Sequence, residues 1–236
     1  MEQITISNIT ITIIRKKIRH IHLAVYPPMG RVHIAAPDTV NEDAIRLFAI
    51  AKLGWIRQQQ RNFEQQERVT PREYKQRESH YFLGKRYLLN VVDTAATSKV
   101  ILKNKRTLEL HVKPAASAEK KEEVLTEWYR EQLKKLVPPL VTKWEQLLQV
   151  QVLDMQIKRM KTKWGTCNIP AKRIWLNLEL AKKPLQCLEY IVVHEMVHLL
   201  ERNHSQRFQL LMDTYLPNWQ QLKKELNRLP ASHADW

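Results

Sequence analysis

The sequence predicts an α+β protein: an antiparallel, β-rich leader followed by a small domain in which a buried helix packs on a sheet. Three patterns carry that expectation. Isoleucines recur near every second position at Ile4, Ile6, Ile9, Ile11 and Ile13, the period of a strand with one buried face. A long helical stripe runs through Val124, Leu125, Trp128, Leu133, Leu136, Val137, Leu140, Trp144 and Leu147. Leu188 to Leu200 is apolar nearly all round yet holds His194, Glu195 and His198. It reads as a core helix whose ionisable residues need a partner.

Taken in order, the first strand pattern is followed by a second at His22 to Tyr26, a turn at Pro27-Pro28-Met29-Gly30, and a third strand at Arg31 to Ala36. Asn41 suits an N-cap, with Glu42 and Asp43 in the first turn, where the helix dipole favours negative charge. The helix is expected from about Glu42 to Glu67, with Ala44, Leu47, Phe48, Ala51, Trp55 and Ile56 on one face. Strands return at Tyr81 to Val92 and Lys99 to Val112. The Pro- and Ala-rich segment from Lys113 to Ala118 is the expected domain boundary, giving regions 1–112 and 113–236. A helix over Glu119 to Val150 should kink or split at Pro138-Pro139. Strands at Val152 to Lys158 and Arg173 to Leu180 precede helices from Pro184, Ser205 and Pro217.

The 236 residues are enough to bury a sizeable core. The charge is unusual: 39 Lys and Arg against 24 Asp and Glu, a formal net of +15. That field favours anionic partners such as nucleic acid or nucleotides. Met1 to Thr12 has no basic leader followed by an apolar block, so no secretory signal is expected. No stretch has the apolar length of a membrane helix. Two cysteines, Cys167 and Cys187, are too few for a disulfide framework. The cytoplasm is the expected location.

The chemistry centres on His194-Glu195-Met196-Val197-His198, an H-E-x-x-H pattern. Residues four apart share one helix face, so two imidazoles there can hold one ion. Glu195, about 100° away around the helix, reaches a water from the side. His204 follows after five residues and is the expected third ligand, with Glu201 its rival. Asn203 is expected to end the helix in the left-handed conformation and Ser205 to cap the next. Three protein ligands with an open position is the catalytic arrangement for zinc. One Zn2+ is the expected ion, though nickel or manganese would also fit such donors. Glu195 is the expected general base.

Upstream, Lys158-Arg159-Met160-Lys161-Thr162-Lys163-Trp164 interleaves cations with an aromatic, a pattern that grips phosphate and stacks a base. Arg159, Lys161, Lys163, Trp164, Asn177 and Tyr215 are the candidate substrate contacts. Lys163, Arg159 and Tyr215 are the candidates for stabilising a developing oxyanion. Cys167 reads as a small core residue, with a fourth metal ligand as the alternative. Ile174 to Leu180, placed at a sheet edge, would accept an extended peptide as an added strand.

Lys163-Trp164-Gly165-Thr166-Cys167, Ile174-Trp175-Leu176-Asn177 and Tyr190 to Ser205 together resemble the YgjP-like (DUF45) metallopeptidases, relatives of the SprT-like and other minimal gluzincin-type zinc peptidases. The resemblance is most direct over Leu153 to Leu229. It implies a zincin-like domain, zinc on His194, His198 and His204, a catalytic Glu195, and a three-stranded sheet on the metal helix with a strand along the cleft. Thr166 stands where the family usually has Ser, and Lys163 where Arg is common. A zinc-dependent peptidase, with DNA association suggested by the charge and by the SprT-like relatives, is the leading expectation. A nucleoside triphosphate pyrophosphatase and a non-catalytic, metal-stabilised nucleic-acid-binding module are the alternatives.

Overall fold

The computed structural model describes residues 2–26, 29–65, 72–160 and 163–228. The Pro27-Pro28 turn, Lys161 and the tail from Pro230 lie outside them. The described residues fall into two compact units, divided between residues 65 and 72.

In the first unit, β1 (Glu2–Ile6), β2 (Ile9–Arg15), β3 (His22–Tyr26) and β4 (Arg31–Ala36) form a sheet in the order β1-β2-β4-β3. Ser7 and Asn8 both take positive φ between β1 and β2, as a two-residue hairpin loop requires. The alternation sends Ile4, Ile6, Ile9, Ile11 and Ile13 to one buried face with Val32, Ile34 and Ala36. The sheet is mixed: the two outer pairs are antiparallel and the central β2–β4 pair is parallel.

Asn41 caps the following helix by accepting from Ala44 N at 2.9 Å. The expected single helix is two, α1 (Glu42–Ala51) and α2 (Leu53–Gln65). Lys52 breaks the run at φ −104°, ψ 3°, its N–H bonding to Ala49 O three residues back. The break turns the buried stripe to Ile45, Ala49 and Ile56, leaving Leu47 and Trp55 exposed. Of the expected face, Ile56 is buried and Phe48 packs against the core, while Leu47 and Trp55 are exposed.

The second unit opens with β5 (Ser79–Phe82), β6 (Lys85–Asp93), β7 (Lys99–Leu102) and β8 (Thr107–Val112), in the order β5-β6-β8-β7. The long helix α3 (Ala118–Leu148) follows, capped by Ser117 Oγ. The expected boundary near Val112 does not hold. Leu89, Leu108, Leu110 and Val112 share one apolar core with Leu133 of α3 and with the helix that carries the H-E-x-x-H pattern. The segment at Lys113 to Ser117 is a tight connection between packed elements. Nor do Pro138 and Pro139 split α3. Both rings are exposed, so the carbonyls they leave without an N–H partner, on exposed Lys134 and Lys135, face solvent.

Next come β9 (Asp154–Lys158), β10 (Gly165–Asn168) and β11 (Arg173–Asn177), in the order β10-β11-β9, then a 3-10 turn at Leu178–Lys182. The last helices are α4 (Leu185–Val197), α5 (Gln206–Tyr215) and α6 (Trp219–Arg228). β11 is therefore the central strand, not the edge strand expected, and β10 and β9 are the edges. The strand predicted to Leu180 stops at Asn177, whose side chain caps the 3-10 turn at Glu179 N. Ile174 and Leu176 are fully buried in the core that contains α4. No helix among the described residues is long and apolar enough to cross a membrane.

Candidate metal centre and cleft

Helix α4 is buried on almost every side: Leu188, Val192, Val193, Met196 and Val197 are all 0% exposed. That packing holds His194 and His198 one turn apart with ring centroids 5.0 Å from each other. The chain leaves α4 at His198 through tight turns, Leu199 N to Met196 O and Leu200 N to Val197 O. Asn203 is not left-handed; the exit needs no positive φ among its residues. Ser205 caps α5 as expected, its Oγ accepting from Phe208 N at 3.3 Å.

This route returns His204 to the helix. Its ring centroid lies 4.9 Å from that of His194 and 4.7 Å from that of His198. One ligand atom from each of the three lies within 4.8 Å of the others. Phe208, fully buried, backs all three rings at 4.7 to 5.0 Å. Only the tertiary structure shows this residue to be the floor of the site. His198 Nδ1 lies 3.1 Å from Glu201 O, a contact that leaves Nε2 facing the group. Glu201, the rival third ligand, holds Asn203 N with its carboxylate instead.

Neutral imidazoles suit a divalent cation, and burial favours that form at two of the three. Burial, then the neighbouring His198 and His204, push His194 down to about 3. Burial lowers His204 as well. The Nε2 atoms of His194 and His204 face each other at 2.9 Å. Ring nitrogens converging in this way can hold one cation together when neither carries a proton. Cys167 stays outside this group: its half-buried thiol is pushed up to about 11 by burial and by Glu195.

Glu195 is 5% exposed. Burial raises its carboxyl to about 8, against the opposing pull of Lys163. Strand β10 passes directly over it. A Cβ at Gly165 would stand 2.5 Å from Glu195 Oε1 and 2.6 Å from its Cγ, so glycine here provides room rather than an unusual φ.

A cleft of about 920 Å³ opens on these residues. Lys163, Trp164, Gly165 and Thr166 line one wall, with Arg202 and Lys223 among its other lining residues. Of the candidate substrate contacts, Lys163 and Trp164 are in the cleft. Arg159 is not among its lining residues; it pairs with Glu122 at 2.7 Å beside Tyr74. Asn177 is 1% exposed and structural. Its amide donates to Met160 O and Lys163 O, and its Oδ1 accepts from Glu179 N. Tyr215 packs against the core. Lys161 lies outside the described residues. Sequence reading missed Arg173, Trp175, Tyr190, Arg202 and Lys223, all cleft-lining. Tyr190 alone left a signal, one turn before His194 on the same face.

An H-E-x-x-H helix on a three-stranded sheet, with three convergent imidazoles in an open cleft, is the architecture of a metal-dependent peptidase. The chain matches the model of the YgjP-like metallopeptidase domain over residues 19–229 and belongs to that family. Among solved structures, the metallopeptidase zymogen of Methanocaldococcus jannaschii jannalysin is similar at 21% identity and a TM-score of 0.34, over 37% of this chain and 90% of that one. No curated protein matches.

Proposed function

We propose that this protein is a zinc-dependent peptidase in which His194, His198 and His204 hold the ion and Glu195 is the general base. The observation that carries the reading is the convergence of three imidazoles beside one buried carboxylate. A zinc ion there would supply Lewis acidity, activating water and polarising the scissile carbonyl. Glu195 takes the proton of the attacking water on its carboxylate and passes it to the leaving amine. Lys163, close enough to act on Glu195, is the cation best placed to stabilise an oxyanion. The edge strand β10 offers unpaired backbone groups to which an extended peptide can add. The two thiols are free, which supports a cytoplasmic site of action. The net charge of +15 supports association with DNA.

A second reading, a nucleoside triphosphate pyrophosphatase, is favoured by the cations and the two tryptophans, Trp164 and Trp175, that line the cleft. One panel separates the two. Zinc-loaded protein and Glu195→Gln are offered peptide libraries, unfolded proteins and nucleoside triphosphates, with and without single-stranded DNA. Peptide cleavage lost in the variant supports the first reading, and stimulation by DNA supports the association. Phosphate release lost in the variant replaces it with the second.

A further inference from the structure

We infer that the cleft selects an acidic peptide, with carboxylate side chains on both sides of the bond cleaved; this rests on the peptidase reading above. Four permanent cations line the cleft: Lys163, Arg173, Arg202 and Lys223. Glu195 is the one carboxylate among the lining residues, and it is assigned to the chemistry. The chain as a whole carries 39 cations to 24 anions, so the lining is far more one-sided than the molecule.

One of these charges is partly offset, Arg173 by Asp154 across the ladder. Arg202 makes no hydrogen bond or ion pair among the described residues. Arg173 has its nearest carboxylate, Asp154, at 3.9 Å, and its buried Nε has no hydrogen-bond partner among them. Lys223 lies over the Trp219 ring at 5.8 Å and acts on both His194 and His204. Charge of one sign lining a cleft draws ligands of the opposite sign towards it.

Two of them, Arg173 and Lys163, can be placed relative to β10. Gly165 abuts Glu195, and Asn168 pairs with Arg173 across the ladder. At roughly 3.3 Å per residue, Arg173 therefore sits about 10 Å along the edge from the reacting centre. That is about three residues of an extended substrate. Lys163 lies two positions beyond Gly165 in the other direction. Trp175 holds the distal charge in place: the Arg173 guanidinium lies over its ring at 4.9 Å and the Lys158 ammonium at 3.3 Å. Carboxylates placed two to three residues either side of the bond meet these cations.

The test uses labelled decapeptides sharing one central sequence and flanked by Glu, Gln or Lys. Binding is read by fluorescence anisotropy on zinc-loaded Glu195→Gln protein, and turnover is read separately on the wild type. The Glu-flanked peptide is expected to bind about 30-fold more tightly than the Lys-flanked one at low salt, shrinking as salt screens the charges. Adding Arg173→Gln and Lys223→Gln in the same background should remove most of that ratio, with zinc content and melting temperature as controls on folding. Equal binding of the three peptides overturns the inference. So does tight binding of nucleoside triphosphates or a single-stranded oligonucleotide without a preference for the acidic peptide. Acidic preference in binding with no peptide cleaved by the wild type upholds the selectivity and overturns the peptidase reading instead.

Discussion

Gly165→Ala is the sharpest perturbation available to the proposed chemistry, because it touches Glu195 and none of the three histidines. The new methyl would meet Glu195 Oε1 at 2.5 Å and Cδ at 2.8 Å. To restore an ordinary contact of 3.4 Å the carboxylate must withdraw by about 0.9 Å. Gly165 does not need a positive φ, so the backbone accepts alanine and the strain falls on that carboxylate. A misplacement of about 1 Å at a catalytic group costs roughly 100-fold, or about 2.7 kcal/mol in activation free energy. The loss should appear in kcat for a peptide substrate. Zinc affinity, read by competition with a chromogenic chelator, should stay within about threefold, and stability should fall by about 1–3 kcal/mol for the crowding. Turnover within threefold of wild type would show that Glu195 is not held against Gly165 when it works, or is not the base. A parallel loss of zinc affinity would show that the defect runs through the metal instead.

Three further outcomes follow from particular contacts. Asn177→Leu should destabilise the protein by about 2–4 kcal/mol in urea unfolding, since Met160 O and Lys163 O lose their donor; a change under 0.5 kcal/mol would mean that Met160 and Lys163 are held by other contacts. His80, pushed down to about 3 by burial and by Arg72 and Lys182 despite Glu78 Oε1 at 3.0 Å, stays neutral when folded. The unfolded chain takes that proton below its ordinary 6.5, so stability is present above 6.5 and lost as pH falls from there towards 3, by up to about 1.4 kcal/mol per pH unit. His80→Asn should flatten the fall between pH 6.5 and 5.5 relative to wild type; identical slopes would place His80 in a charged state. Chelation should lower the melting temperature and zinc restore it, by about 2.7 kcal/mol at 100-fold excess over the dissociation constant; His204→Ala should lose that zinc response and Glu195→Gln keep it, and an unchanged response in His204→Ala would remove it from the ligand set.

Much of the site was legible in one dimension because helical spacing is a local rule. His194 and His198 sit one turn apart by the geometry of any α-helix, and the apolar run around them places that helix in a core. Ser205 and Asn41 were readable as caps for the same reason: a cap is set by atoms two or three residues away. Where expectation failed, the deciding contact was distant. The boundary moved from Val112 because Leu108, Leu110 and Val112 share one core with residues of α3 and α4, and composition does not report which surfaces meet. The order of β10, β11 and β9, and with it the edge beside Glu195, depends on which strands pair, not on how each alternates.

The sequence by itself thus determined the helix that carries His194, Glu195 and His198 and the alternating faces of the strands, all consequences of periods within a few residues. It did not determine the strand orders. The two four-stranded sheets share one connectivity, β1-β2-β4-β3 and β5-β6-β8-β7, although no repeat is legible in the residues, because hydrogen-bonded ladders constrain backbone and leave side chains free to differ. Only the tertiary structure returned His204 to His194, set Phe208 beneath three imidazoles, brought Gly165 over Glu195, and gathered Arg173, Arg202 and Lys223 at one cleft. Those groups come from separate elements, and the packing of the core that joins them is what sets their distances.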